Sequence, residues 1–224
     1  TKAIELDPDY AFAYVNRGLS KENLKDYKGA IEDYTKAIEL DPVDDYAYVN
    51  RGLSKENLKD YKGAIEDYTK AIELDPVDDY TYVNRGNAKK TLKDDYGAIE
   101  DYSKAIELDP DYADAYYNRG IAKGDLKDYY GAIEDYSKAI ELKPDYTNAY
   151  YNRGNAKKTL KDDYGAIEDY SKAIELKPDY ASAYNNRGTA KENSGDLNGA
   201  CADWIKAASL RHTNPAQWVR DQCN

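Results

Sequence analysis

Residues 13–21 read AYVNRGLSK, and the Asn16, Arg17 and Gly18 at the centre return as Asn50, Asn84, Asn118, Asn152 and Asn186, each followed by Arg and Gly. The interval is always 34 residues. A tripeptide held in register over most of a chain implies a repeated job for each of its letters, some serving the fold and some a partner. Duplication built the sequence around it: residues 13–46 and 47–80 are the same string, and Asn84–Leu108 recurs letter for letter at Asn152–Leu176.

With Gly as the eighth position, the frame gives repeats at 11–44, 45–78, 79–112, 113–146, 147–180 and 181–214, and residues 1–10 form the tail of an earlier unit. Small and apolar residues recur at helical spacing within each unit, as in Tyr14 and Gly18 and then Ala30, Tyr34, Ala37 and Ile38, so the pattern predicts two amphipathic helices per repeat. Asp26, Asp60, Asp94, Asp128, Asp162 and Asp196 stand where the second helix needs an N-cap, and Pro42, Pro76, Pro110, Pro144 and Pro178 stop it. Glu32 and Lys36, and their copies, lie four apart in the order that favours pairing on an outer, solvated face.

Mean hydropathy is -0.94, and Ile, Leu, Val and Phe make up about 16% of the 224 residues, a composition that on its own points to disorder. The periodicity overrules it, because Ala and 25 Tyr residues can close-pack helices. A net charge of -11 repels phosphate backbones and anionic lipid, so neither nucleic acid nor membrane is an expected partner. No apolar run approaches the roughly 20 residues of a membrane span, and no signal peptide opens the chain. The start inside a repeat and the absence of Met lead us to expect a piece of a longer protein, with a cytoplasmic location as the default.

A 34-residue helix-turn-helix unit with Tyr14, Gly18, Ala30, Tyr34, Ala37 and Pro42 at its fourth, eighth, twentieth, twenty-fourth, twenty-seventh and thirty-second positions resembles the tetratricopeptide repeat family in a bacterial-type multi-repeat array. The resemblance covers essentially the whole chain and implies one all-α domain, a right-handed α-solenoid. It also implies a concave groove lined by positions two, five, six, nine, twelve and thirteen of each first helix. Asn16, Asn50, Asn84, Asn118, Asn152 and Asn186 would form a ladder there, each amide able to give and accept hydrogen bonds with the backbone of an extended peptide. The alternative is that they bond neighbouring helices. Val15, Leu19, Tyr46, Val49, Leu53, Tyr80 and Val83, with Phe12, would make an apolar strip, and Asn87, Tyr117, Tyr151 and Asn155, with Asn148 and Asn185, a wetter surface. The carboxylate clamp of some relatives is absent, because Val, Tyr or Asn stands at position five where the clamp needs Lys or Arg. Arg17 and Lys21 replace the family's usual apolar residues. We expect their stems to cover the core and their charges to reach Asp33.

The sixth repeat departs from the pattern, with Trp204 for Tyr, Cys201 for Ile and His212 for Pro. Residues 215–224 read as a capping helix docked by Trp218, with Arg220, Asp221 and Gln222 outside. Cys201 and Cys223 lack metal-ligand spacing. Two thiols in a reducing compartment are the simpler reading, and a disulfide tying down the last helix is the other. His212, the lone histidine, has no nucleophile and carboxylate around it, so neither catalysis nor a cofactor is expected. The sequence therefore points to a non-enzymatic scaffold holding a peptide segment of a protein partner. Its rival is a structural or self-assembling array, with association through the N-terminal end around Ala3, Ile4, Tyr10 and Phe12.

Overall fold

The computed structural model describes residues 2–211 together with Val219 and Cys223, and every regular element among them is an α-helix. A short α1 (Lys2–Leu6) is followed by six helix pairs. The first helices are α2 (Ala11–Asn23), α4 (Asp45–Asn57), α6 (Asp79–Thr91), α8 (Ala113–Asp125), α10 (Thr147–Thr159) and α12 (Ala181–Asn193). The second helices are α3 (Tyr27–Leu40), α5 (Tyr61–Leu74), α7 (Asp95–Leu108), α9 (Tyr129–Leu142), α11 (Asp163–Leu176) and α13 (Leu197–Leu210). They group into two compact units, residues 1–110 and 111–224. Within each unit a second helix packs on its own first helix and on the first helix of the next pair, the arrangement of an α-solenoid.

Every second helix starts the same way. The Oδ1 atoms of Asp26, Asp60, Asp94, Asp128, Asp162 and Asp196 accept the backbone N–H three residues on, at 2.9–3.1 Å, satisfying one donor that a helix start leaves open. The turn before the cap places Lys25, Lys59, Lys93, Lys127 and Lys161 in the left-handed region, at φ of 60–68°. Glycine fills that place only in the last repeat, as Gly195 at φ 90°.

The core is thin and built from Ala and Tyr. Tyr34, Tyr68, Tyr102 and Tyr170 are fully buried, wedged beside Ala30, Ala64, Ala98 and Ala166 and their like. A Cβ added at Gly18 would lie 2.6 Å from Tyr34 Cε1, and at Gly52 the same distance from Tyr68 Cε1. The Gly of the recurring tripeptide is therefore the contact that lets the tyrosine ring approach the first helix closely.

Two expectations change. Lys36, Lys70, Lys104, Lys138 and Lys172 pair with the glutamate three residues on, at 2.7–3.2 Å, instead of the one four residues back. These side chains are exposed, and alternative partners on such a face differ by only a few tenths of a kcal/mol. Cys201 and Cys223 are joined by a disulfide, with Cα atoms 5.5 Å apart, in place of the free thiols the simpler reading gave them. Val219 packs with Ala200 and Trp204, and Cys223 lies against the same cluster, which brings the two sulfurs together. The expectations for His212, Trp218, Arg220, Asp221 and Gln222 fall outside the described residues.

Candidate peptide-binding face

Of the three recurring letters, Arg acts with a carboxylate buried between the helices of its own pair. Arg17 donates through Nε and Nη2 to Asp33 at 2.8 and 2.6 Å, and Lys21 Nζ lies 2.8 Å from the same carboxylate. The arrangement recurs at Arg51, Arg85, Arg119, Arg153 and Arg187 on Asp67, Asp101, Asp135, Asp169 and Asp203, each aspartate only 3–4% exposed. Burial pushes the Asp33 carboxyl up, but the hydrogen bonds and charges of Arg17 and Lys21 outweigh it and hold the group below the usual carboxylate range. Each guanidinium also lies over the ring of the tyrosine three residues back, at 5.4–5.6 Å. Within the two units the remaining nitrogen of four of them reaches the preceding pair: Arg51 bonds Thr35, Arg85 bonds Thr69, Arg153 bonds Ser137 and Arg187 bonds Ser171, at 2.9–3.2 Å.

The Asn letters are held in two ways. In the first unit, Asn16 Nδ2 donates to Phe12 O at 3.0 Å and Asn50 Nδ2 to Tyr46 O at 2.7 Å, both on their own helix. Asn84 is buried and its Nδ2 meets no acceptor among the described residues. In the second unit, Asn152 Nδ2 donates to Tyr117 Oη at 3.1 Å, and Asn186 Nδ2 to Tyr151 Oη at 3.0 Å and Asn155 Oδ1 at 2.9 Å, linking each first helix to the one before. Asn118 is half-buried and hydrogen-bonded or otherwise engaged as well.

The structure divides the remaining groove candidates by depth. Val15, Val49 and Val83 are buried, at 1%, 7% and 4% exposure, so they support the face from beneath. Leu19 and Leu53 are half-buried against the core. Phe12, Tyr46 and Tyr80 stand out at 59%, 52% and 47%, at the same place on three consecutive first helices. Asn87 and Asn155 each turn Oδ1 to the hydroxyl of the core tyrosine of their pair, Tyr102 and Tyr170, at 2.8 Å. Tyr117 and Tyr151 pack on Tyr146 and Tyr180, with ring centres 4.7 and 4.8 Å apart. Sequence reasoning missed Tyr96, Tyr130 and Tyr164, which stand at the start of second helices with over 70% exposure. Their signal is the change from Lys28 and Lys62 to Tyr at that place.

Chemically these first helices offer amides, hydroxyls and exposed rings. Among the described residues no cluster of His, Cys, Asp and Glu is arranged to hold a metal ion, and no helix is long and apolar enough to cross a membrane.

Family models described as "Tetratricopeptide repeat" match residues 11–44, 46–78 and 113–146, and one described as "TPR repeat" matches 94–127 and 162–195. Among solved structures the chain is similar to that of the MamA protein, with 31% identity, 75% of this chain and 92% of that one covered, and a TM-score of 0.71. It is similar to YrrB, described as a TPR protein with an unusual peptide-binding site, with 25% identity, 82% and 94% covered, and a TM-score of 0.72. Its likeness to pilF of Pseudomonas aeruginosa, at 18% identity, 95% of each chain covered and a TM-score of 0.76, is one of fold alone. No curated protein matches the chain.

Proposed function

Because the chain belongs to the tetratricopeptide repeat family, we propose that it is a non-enzymatic scaffold whose first helices hold an extended peptide segment of a protein partner. The observation that carries this reading is the row of Phe12, Tyr46 and Tyr80, three aromatic rings about half exposed at one register position. Aromatic anchors of this kind dominate binding energy at interfaces. The peptide-binding site described for YrrB supports the same use of the fold. Asn16, exposed on the same helix as Phe12, has a side-chain oxygen to offer a passing backbone.

The purified chain probed on an array of extended peptides is expected to retain a subset of them. Replacing Phe12, Tyr46 and Tyr80 together with Ser should weaken those peptides by at least about thirtyfold, since a hot-spot residue contributes 2 kcal/mol or more. The melting temperature should hardly move, because exposed substitutions cost within about 0.5 kcal/mol each. An array that stays blank favours the rival, a structural or self-assembling repeat array. Tyr10 and Phe12 edge a cavity of about 420 Å3 with Ala3 and Asn16. A mass in light scattering that grows with concentration, and that Phe12→Ser returns to monomer, would assign that end to self-association.

A further inference from the structure

The core tyrosine of each of the first five pairs carries a hydroxyl that needs an acceptor, and the repeats supply it from two places. Tyr34 donates to Glu22 and Tyr68 to Glu56, both at position twelve, at 2.8 Å. Tyr102 donates to Asn87 and Tyr170 to Asn155, both at position nine, at 2.8 Å. In the fourth repeat, position twelve is Gly124 and position nine is Ile121. Both acceptors are missing there together.

The consequence is physical. Tyr136 is 4% exposed, and its hydroxyl has no hydrogen-bond partner among the described residues. A cavity of about 190 Å3 opens beside it, lined by Ile121, Gly124, Asp125, Tyr136, Asn152 and Asn155 among others. A Cβ built at Gly124 meets nothing closer than Tyr136 Oη at 3.9 Å. An apolar cavity of about 150 Å3 is enough to take a benzene ring, so this one can admit a whole side chain from outside.

The groups at its edge say which kind. Tyr136 Oη has a proton to give. Asn155 has spent Oδ1 on Tyr170 and Asn186, so it has only Nδ2 hydrogens to offer. Asn152 has given an Nδ2 hydrogen to Tyr117, which leaves Oδ1 as an acceptor. A guest must therefore accept and donate within one small group, as a carboxamide does. A carboxylate would accept from Tyr136, but it would meet Oδ1 of Asn152 and the negative charge of Asp125.

We propose that this cavity is a specificity slot for a glutamine side chain of the bound peptide, its carbonyl oxygen accepting the Tyr136 hydroxyl as Asn155 does for Tyr170. The assignment rests on the peptide-holding function proposed above and adds the residue type read at the fourth repeat. Gly124 acts by leaving room, Ile121 by supplying no rival acceptor, and Tyr136 by its unspent donor.

The test uses the whole chain, isotope-labelled, and the tripeptide acetyl-Ala-Gln-Ala-amide at millimolar concentration. Saturable NMR shifts are expected at Gly124, Ala132, Tyr136 and Asn155, with the Glu and Leu versions of the peptide at least tenfold weaker. Gly124→Gln brings the chain's own carboxamide into the slot, and should abolish the shifts without lowering the melting temperature. Tyr136→Phe should reduce the preference for Gln over Leu. Equal response to all three peptides, no response at all as for a slot that takes only water, or a response unchanged in Gly124→Gln overturns the proposal. Array binding without a glutamine preference and with no tripeptide response sinks the slot and leaves the scaffold reading standing. A blank array with saturable tripeptide shifts does the reverse.

Discussion

Asp101→Ala is expected to destabilise the protein by about 3 kcal/mol or more, the usual result of removing one partner from a buried ion pair. Asp101 takes both Arg85 and Lys89, whose side chains are only 16% and 18% exposed, so its loss leaves two neighbouring cations of α6 without their counter-charge on α7. Urea unfolding read by circular dichroism measures the loss. The triple replacement Arg85→Met, Lys89→Met, Asp101→Leu should recover much of it, because the cost lies in stranded charge and not in lost attraction. An Asp101→Ala loss below about 1 kcal/mol would mean that these carboxylates do not hold the pairs together. The first repeat adds a pH dependence. The folded value of Asp33 is lowered, so its contribution is fully present above the ordinary carboxylate range near pH 4 and disappears as pH falls through the lower folded value.

Gly86→Ala is expected to cost up to about 2 kcal/mol net, although alanine favours a helix over glycine by about 1 kcal/mol. The added Cβ would lie 2.7 Å from Tyr102 Cε1, and Tyr102 is fully buried, so the ring cannot swing aside and overpacking of about 1–3 kcal/mol outweighs the propensity gain. Gly124→Ala in the fourth repeat provides the contrast. Its Cβ would make only ordinary contacts, with Tyr136 Oη at 3.9 Å and Ala132 Cβ at 4.0 Å, and stability should rise by up to about 1 kcal/mol. The opposite signs are the content of the prediction. Two losses of similar size would show that helical position, and not contact with the tyrosine ring, governs both glycines.

The helices, their caps and the Arg–Asp contact were legible in the sequence because each depends on residues at fixed spacing inside one repeat. Register could also say that Asn16 and its copies share a place, but not what each one bonds. The difference comes from the repeat before. Where position five is Tyr117 or Tyr151, a hydroxyl is within reach of the following Asn152 or Asn186. Asn50 follows Val15, which offers no polar atom, and it returns to the carbonyl of Tyr46 on its own helix. Burial was the other blind spot. Val15, Val49 and Val83 were expected on the same groove as Phe12 and Tyr80, yet they are buried, because depth is set by how closely neighbouring helices approach. The cavity beside Tyr136 depends on two letters, Ile121 and Gly124, standing together where other repeats carry Asn or Glu, a coincidence that neither position signals alone.

A core of alanine, tyrosine and ion-paired aspartate also sets how the fold responds to temperature. Unfolding raises the heat capacity through apolar surface and lowers it through polar surface, and globular proteins average about 12–15 cal/mol/K per residue. Here each pair exposes on unfolding a carboxylate, a guanidinium, an ammonium and a phenol hydroxyl along with its methyl groups, so the increment should fall below that range in scanning calorimetry. The stability curve is then shallow, with little loss toward the cold. The penalty for desolvating the buried charges shrinks on warming, so the same contacts hold their grip at temperatures where an aliphatic core no longer gains.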